Sequence, residues 1–180
     1  MVSENTKHIT VITCMALFIA LNIILTRFLA INTQFLRISL GMIPVALAGA
    51  AFGPVWGGVC GAVSDILGML IFPSGAYFPG FTLTAALTGI IYGLFLFRGN
   101  GRHTLRNTLI ASFLVCIGCN LFLDTLWLYI MYGSGFLAIL PARIIKCALN
   151  IPIYTALIML LWNRVFSKIP AIKEIRNTSR

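Results

Sequence analysis

Charge is scarce in this sequence. Only 9% of its 180 residues are Asp, Glu, Lys or Arg, against roughly 25% in soluble domains. With 59% of the chain hydrophobic, a soluble fold could not bury its apolar surface and still present a wetted exterior. Acidic residues are scarcest of all: Glu4, Asp65, Asp124 and Glu174 are the full set. Histidine is limited to His8 and His103, far apart and with no acidic cluster nearby, which argues against a metal site. No Gly-x-x-x-x-Gly-Lys-Ser/Thr loop is present, so the chain does not hydrolyse ATP by that route. No run alternates apolar and polar residues, which argues against a transmembrane barrel. Nothing in the chain calls for a cofactor. The 13 basic residues give a net charge of +9, but most sit in gaps between apolar runs rather than along one face, which argues against nucleic-acid binding.

What is present is long apolar runs. A bilayer core about 30 Å thick needs about 20 apolar residues per helix. Six runs approach that length: 9–29, 38–52 (short), 54–72, 81–97, 108–132 and 137–166. Breakers lie between them: Gly53-Pro54, the Pro73–Gly80 loop, Gly99-Asn100-Gly101 and Gly133-Ser134-Gly135. Pro152 falls inside the sixth run and should bend it or open its backbone ladder. The composition therefore predicts an all-α integral membrane protein, multi-pass in the cell membrane, with six transmembrane helices and one domain over residues 1–180. Lys7, Arg98, Arg102, Arg106, Arg164, Lys168, Lys173, Arg176 and Arg180 flank one side, which places both termini in the cytoplasm. The first run is too long for a cleavable signal and lacks the small-residue site that would follow one.

Ionisable residues at membrane depth cost about 2.5–3.5 kcal/mol each on an insertion scale, so each needs a reason. At 100° per residue, Asn120, Asp124 and Trp127 share a stripe of the fifth run, and Arg143, Lys146 and Asn150 share one within about 60° of arc on the sixth. The short turn between the runs makes them antiparallel neighbours, so both stripes fall in the outer half of the membrane. An interhelical ion pair with Trp127 at the interface is one reading. The other is a pocket. Two cations against one carboxylate leave room for an anion, and a carboxylate accepts paired donors from a flat heterocycle while an indole offers a stacking face.

Arg27 and Arg37 flank the first outer loop with Asn32, Gln34 and Phe35. They either snorkel to headgroups or help close that pocket. Tyr77 and Phe78, in an uncharged loop with glycine hinges, are either interfacial anchors or a second lid. Asp65 lies among Gly57, Gly58, Gly61 and Gly68 and reads first as a helix-packing or hydrogen-bonding residue. Ala16 and Ala20 make a small flat face on the first run. The five cysteines lie inside apolar runs. Cys116 and Cys119 have the spacing of a redox motif, but without its βαβ setting they read as buried thiols.

Three segments carry a resemblance: Arg37–Pro44 (RISLGMIP), Phe52–Gly68 (FGPVWGGVCGAVSDILG) and Phe72–Gly93 (FPSGAYFPGFTLTAALTGIIYG). They resemble the second helix, third helix, and following loop and fourth helix of the substrate-binding S components of energy-coupling factor transporters, most closely the folate branch. The resemblance implies a non-enzymatic subunit that binds a vitamin from outside. It docks on a transmembrane coupling subunit that carries two ATP-binding-cassette subunits, and it topples to deliver. In that family an Ala-x-x-x-Ala face makes the docking contact, and Ala16 and Ala20 match it. On this reading the pterin stacks on Trp127 and donates to Asp124. Arg143 and Lys146 face the glutamyl carboxylates, Asn120 and Asn150 add neutral hydrogen bonds, and Tyr77, Phe78, Phe35, Arg27 and Arg37 line the mouth. Competing expectations are another anionic vitamin such as pantothenate, a six-helix membrane scaffold without a ligand, and a membrane transferase. The transferase lacks the acidic cluster that metal-assisted chemistry needs.

Overall fold

In the computed structural model the described residues are 4–29, 31–32, 37–73, 77–97, 105–133 and 136–164, with side chains at 4–7, 31–32, 37–38, 132, 136–139 and 142 outside the description. They form α1 (Glu4–Arg27), a two-residue antiparallel ladder of β1 (Ile31–Asn32) with β2 (Arg37–Ile38), α2 (Met42–Phe52), α3 (Pro54–Ile71), α4 (Pro79–Phe97), α5 (Leu105–Leu114), a π-helical stretch Val115–Leu123, α6 (Asp124–Tyr132) and α7 (Phe136–Arg164). The ladder, Ile31 opposite Ile38, closes the loop after α1 and satisfies backbone groups where helix is absent. Five stretches are long and apolar enough to cross a membrane: His8–Arg27, Pro54–Ile71, Pro79–Phe97, Leu105–Met131 and Arg143–Arg164.

Helix ends fall within a few residues of those expected. α2 differs in kind from the other helices. Its 11 residues rise about 16 Å, about half the hydrocarbon core. Every residue from Ile43 to Phe52 is buried, as expected of a helix apolar all round. Leu17, Val55, Leu70 and Phe122 are by contrast 64–78% exposed. In water such a surface would aggregate, whereas lipid tails solvate it.

Glycine sets the packing of α2, α3 and α4. A Cβ at Gly57 would come 2.5 Å from the Gly89 carbonyl oxygen and 2.8 Å from the Gly49 Cα. A Cβ at Gly49 would come 2.8 Å from the same oxygen. The three helices cross backbone to backbone, which only small residues allow. Gly53, at φ 98°, makes the turn that lets Pro54 start α3 where α2 stops.

α7 holds both Pro141 and Pro152 inside one helix, and each ring removes one N–H from its ladder. One outcome departs from the expectations. The fifth run is one continuous helical path, but its middle is wound as a π-helix, with the Asp124 N–H bonding the Cys119 carbonyl five residues back. The 100° wheel used to align Asn120 with Asp124 therefore does not hold between them.

Candidate functional site

The N-terminal half of α7 carries Arg143, Lys146, Cys147 and Asn150 at helical spacing along one face, and Tyr154 follows one turn on. Its partner is the π-helical stretch. A widened turn leaves carbonyls off the regular ladder, and the Asn120 carbonyl accepts from Arg143 Nη1 at 2.9 Å. The Asn120 amide turns the other way, Nδ2 approaching Met42 Sδ at 3.7 Å. Asn120 and Asn150 are both buried. Tyr154 donates its hydroxyl to the Ser39 carbonyl at 2.9 Å, and Asn22 Nδ2 donates to the Gly41 carbonyl at 2.7 Å. α1 and α7 thus pin the start of α2 beside Asn120.

Asp124 opens α6. Both Arg143 and Lys146 lie within electrostatic reach of its carboxylate, and Thr84 of α4 reaches it with a hydroxyl. Among the described residues no closed ion pair joins Asp124 to either cation, so the three charges interact at a distance rather than in contact. This departs from the simple interhelical ion pair. Thr84 is the hub. It accepts from Trp127 Nε1 at 3.1 Å and also lies 3.1 Å from the Gly80 carbonyl. Its single proton can serve either that carbonyl or Asp124, not both. The Trp127 indole leans on Phe78, with centroids 5.5 Å apart and planes at 47°. Gly80 makes this possible, since a Cβ there would come 2.5 Å from both rings.

A second polar chain links α3 and α4 and comes within reach of α1. The Tyr77 hydroxyl meets Thr82 Oγ1 at 3.1 Å, and Thr82 donates to Asp65 Oδ2 at 2.7 Å. Arg27 lies beside this chain. Its guanidinium lies across Gly68 of α3, with Nε 3.2 Å from where a Cβ would be, in the field of Asp65. Asp65 does act as a helix-linking hydrogen-bond acceptor. Its charge also reaches Asp124, so the two polar chains share one region.

The structure therefore groups Asp124, Trp127, Arg143, Asn120, Lys146 and Phe78, with Asn150 one turn beyond Lys146 on α7. Tyr77 is 51% exposed at the edge. Phe35 and the Arg37 side chain lie outside the described residues. Ala16 and Ala20 are exposed one turn apart on α1. Sequence reasoning missed Thr82 and Thr84. The available signal was hydroxyls recurring at 82, 84 and 88 in an otherwise apolar helix.

A helical membrane bundle with a mixed-charge, aromatic-edged group among its helices fits a membrane-embedded binding subunit. A sequence profile for the ECF transporter, substrate-specific component, matches residues 10–162, and the chain belongs to that family. It is accordingly a multi-pass membrane protein. It is 42% identical over 159 residues to "Folate transporter FolT" of Clostridium novyi (strain NT), spanning 88% of this chain and 91% of that protein. It is 33% identical over 159 residues to the protein of the same name from Leuconostoc mesenteroides, spanning 85% of each. Its fold is similar to a crystal structure of FolT bound with folic acid, with TM-score 0.78 and 41% identity over 85% of this chain and 92% of that one.

Proposed function

We propose that this protein is the folate-capturing component of an energy-coupling factor transporter. It takes folate from the outer side and passes it inward, while separate ATP-binding-cassette subunits on a transmembrane coupling subunit hydrolyse ATP. The observation that carries the reading is that Asp124 and Trp127 share Thr84 as a partner, with Asp124 in the joint field of Arg143 and Lys146. It occurs in a chain 41% identical to a FolT crystallised with folic acid.

The chemistry follows from the ligand. A pterin edge offers an amino group beside a ring N–H, a donor pair that matches the two oxygens of Asp124. When that pair binds, the Thr84 proton is released to the Gly80 carbonyl. The ring stacks on the Trp127 face left open by Phe78. Asp124, Arg143 and Lys146 together carry +1, so a dianionic glutamyl tail brings the group to −1, and Arg27 and Arg37 near the mouth offset the remainder. Asn120 and Asn150 supply neutral hydrogen bonds. Tyr77, Phe78 and Phe35 close the entrance. The topology that suits this role has six crossings in one domain over residues 1–180, with α2 as the short crossing and both termini cytoplasmic. Ala16 and Ala20 then face the coupling subunit.

Tritiated-folate binding to the purified protein tests the pocket. Loss of one charged hydrogen bond is worth about 1.5–3 kcal/mol, so Asp124→Ala and Lys146→Ala should each weaken binding by at least about tenfold. Unchanged affinity in both variants rejects the pocket. Pantothenate binding without folate binding replaces the ligand.

A further inference from the structure

Five cysteines take no part in the binding chemistry, and two of them meet across helices. Cys116, in the π-helical stretch, and Cys147, on α7, are both buried. The Cys147 thiol donates to the Cys116 carbonyl oxygen at 3.1 Å, and the two thiols also interact with each other. Cys119, which shares the redox-like spacing with Cys116, turns instead to Thr88 of α4. The π turn separates the two neighbours in sequence and gives Cys116 a partner 31 residues away. The surroundings are those of the binding group. Lys146 precedes Cys147, Asn120 lies one turn past Cys116 and contacts its thiol, and Arg143 and Lys146 both lie in electrostatic reach of Cys147. The attacking species in thiol chemistry is the thiolate, and adjacent positive charge supports it.

We propose that Cys116 and Cys147 form a dithiol site that a mild two-electron oxidant closes to a disulfide, tying the fifth run to α7 next to Lys146 and making ligand capture sensitive to oxidation. With a diazene such as diamide, the Cys147 thiolate adds to one nitrogen of the N=N bond. The Cys116 sulfur then attacks Cys147 Sγ, forming the S–S bond and breaking the S–N bond. The two thiol protons end on the nitrogens, so the diazene is reduced to a hydrazine as the dithiol is oxidised. The bond would stop the π-helical stretch and α7 from moving apart at the depth of Asn120 and Lys146. The closure stands apart from the folate reading, whereas its effect on capture rests on it.

The test uses the full-length purified protein treated with diamide, then digested without reduction. The expected product is a peptide pair joining Cys116 to Cys147, with a mass loss of two hydrogens. It should persist in a Cys14→Ser/Cys60→Ser/Cys119→Ser variant and disappear in Cys147→Ser and in Cys116→Ala. No linked pair, or a Cys116–Cys119 link instead, overturns the site. Mapping on the unmutated chain decides this even if a variant fails to fold. Tritiated-folate binding should drop on oxidation, return with dithiothreitol and be insensitive to diamide in Cys147→Ser. A disulfide that forms without changing binding overturns the functional half. If untreated protein binds no folate, the folate reading fails while the disulfide result still decides the site.

Discussion

The two halves of the bundle are built on opposite rules. In α2, α3 and α4 the contact is backbone on backbone: Gly49, Gly57 and Gly89 meet with no side chain between them. Between the fifth run and α7 the contact is side chain on backbone: Arg143 on the Asn120 carbonyl and Cys147 on the Cys116 carbonyl. The first half gains dense packing and tolerates no added atom. The second half has a widened turn, and two of its carbonyls accept from polar side chains of α7. The difference separates scaffold from site. Asp124, Arg143 and Lys146 all belong to the second half, and the first lends it Thr84, Phe78 and the Gly80 gap.

The sharpest way to break the comparison is to place a side chain in the glycine contact. Gly89→Val should cause the largest loss, since backbone atoms of α3 have nowhere to shift. Overpacking costs typically about 1–3 kcal/mol, and the variant should show a marked drop in thermal midpoint or in membrane yield. A wild-type melting profile would mean the three helices are not packed as described.

Removing the hub of the second half should do less to stability and more to binding. Thr84→Val deletes the partner of the Trp127 indole and of Asp124. A neutral hydrogen bond contributes about 0.5–1.5 kcal/mol net, so folate affinity should fall about threefold to tenfold, with a small shift in melting. Asp65→Asn keeps an acceptor for Thr82 but removes the charge facing Arg27. It should perturb the outer end mildly, read as a faster folate dissociation rate with little change in folding. The smallest effect belongs to Gly118→Ala. Gly118 is exposed within the π-helical stretch and a Cβ there meets nothing within 4 Å. Ala favours helix over Gly by about 1 kcal/mol, so stability should hold or rise slightly. A large loss there would show that the wide turn needs the freedom of glycine.

Much of the fold was legible before any coordinates. The start of α3 at Pro54 after Gly53, the end of α4 at Phe97 and the break at Gly133 all follow from local breakers and run length. Asp124, Trp127, Arg143 and Lys146 could be picked out because a charge or an indole is conspicuous in an apolar run. Thr84 could not, since a threonine in a membrane helix ordinarily bonds its own carbonyl four residues back, as Thr88 does to Thr84. Nor was the contact of Arg27 with Gly68 legible, since it exists only where α3 comes alongside α1.

The sequence by itself determined that this chain lives in a bilayer, where its helices begin and end, and which few charges need an explanation. Those are one-dimensional properties, set by the length of apolar runs and the energy of placing charge in lipid. Only the tertiary structure decided which groups meet. Partnership depends on how each helix is rotated about its axis. Here that rotation is set by glycine contacts on one side of the bundle and by a π turn on the other, neither of which a regular helical wheel contains. Hence Asp124 faces Thr84 as well as two cations, Arg27 serves Asp65, and Cys116 pairs with Cys147 rather than with Cys119.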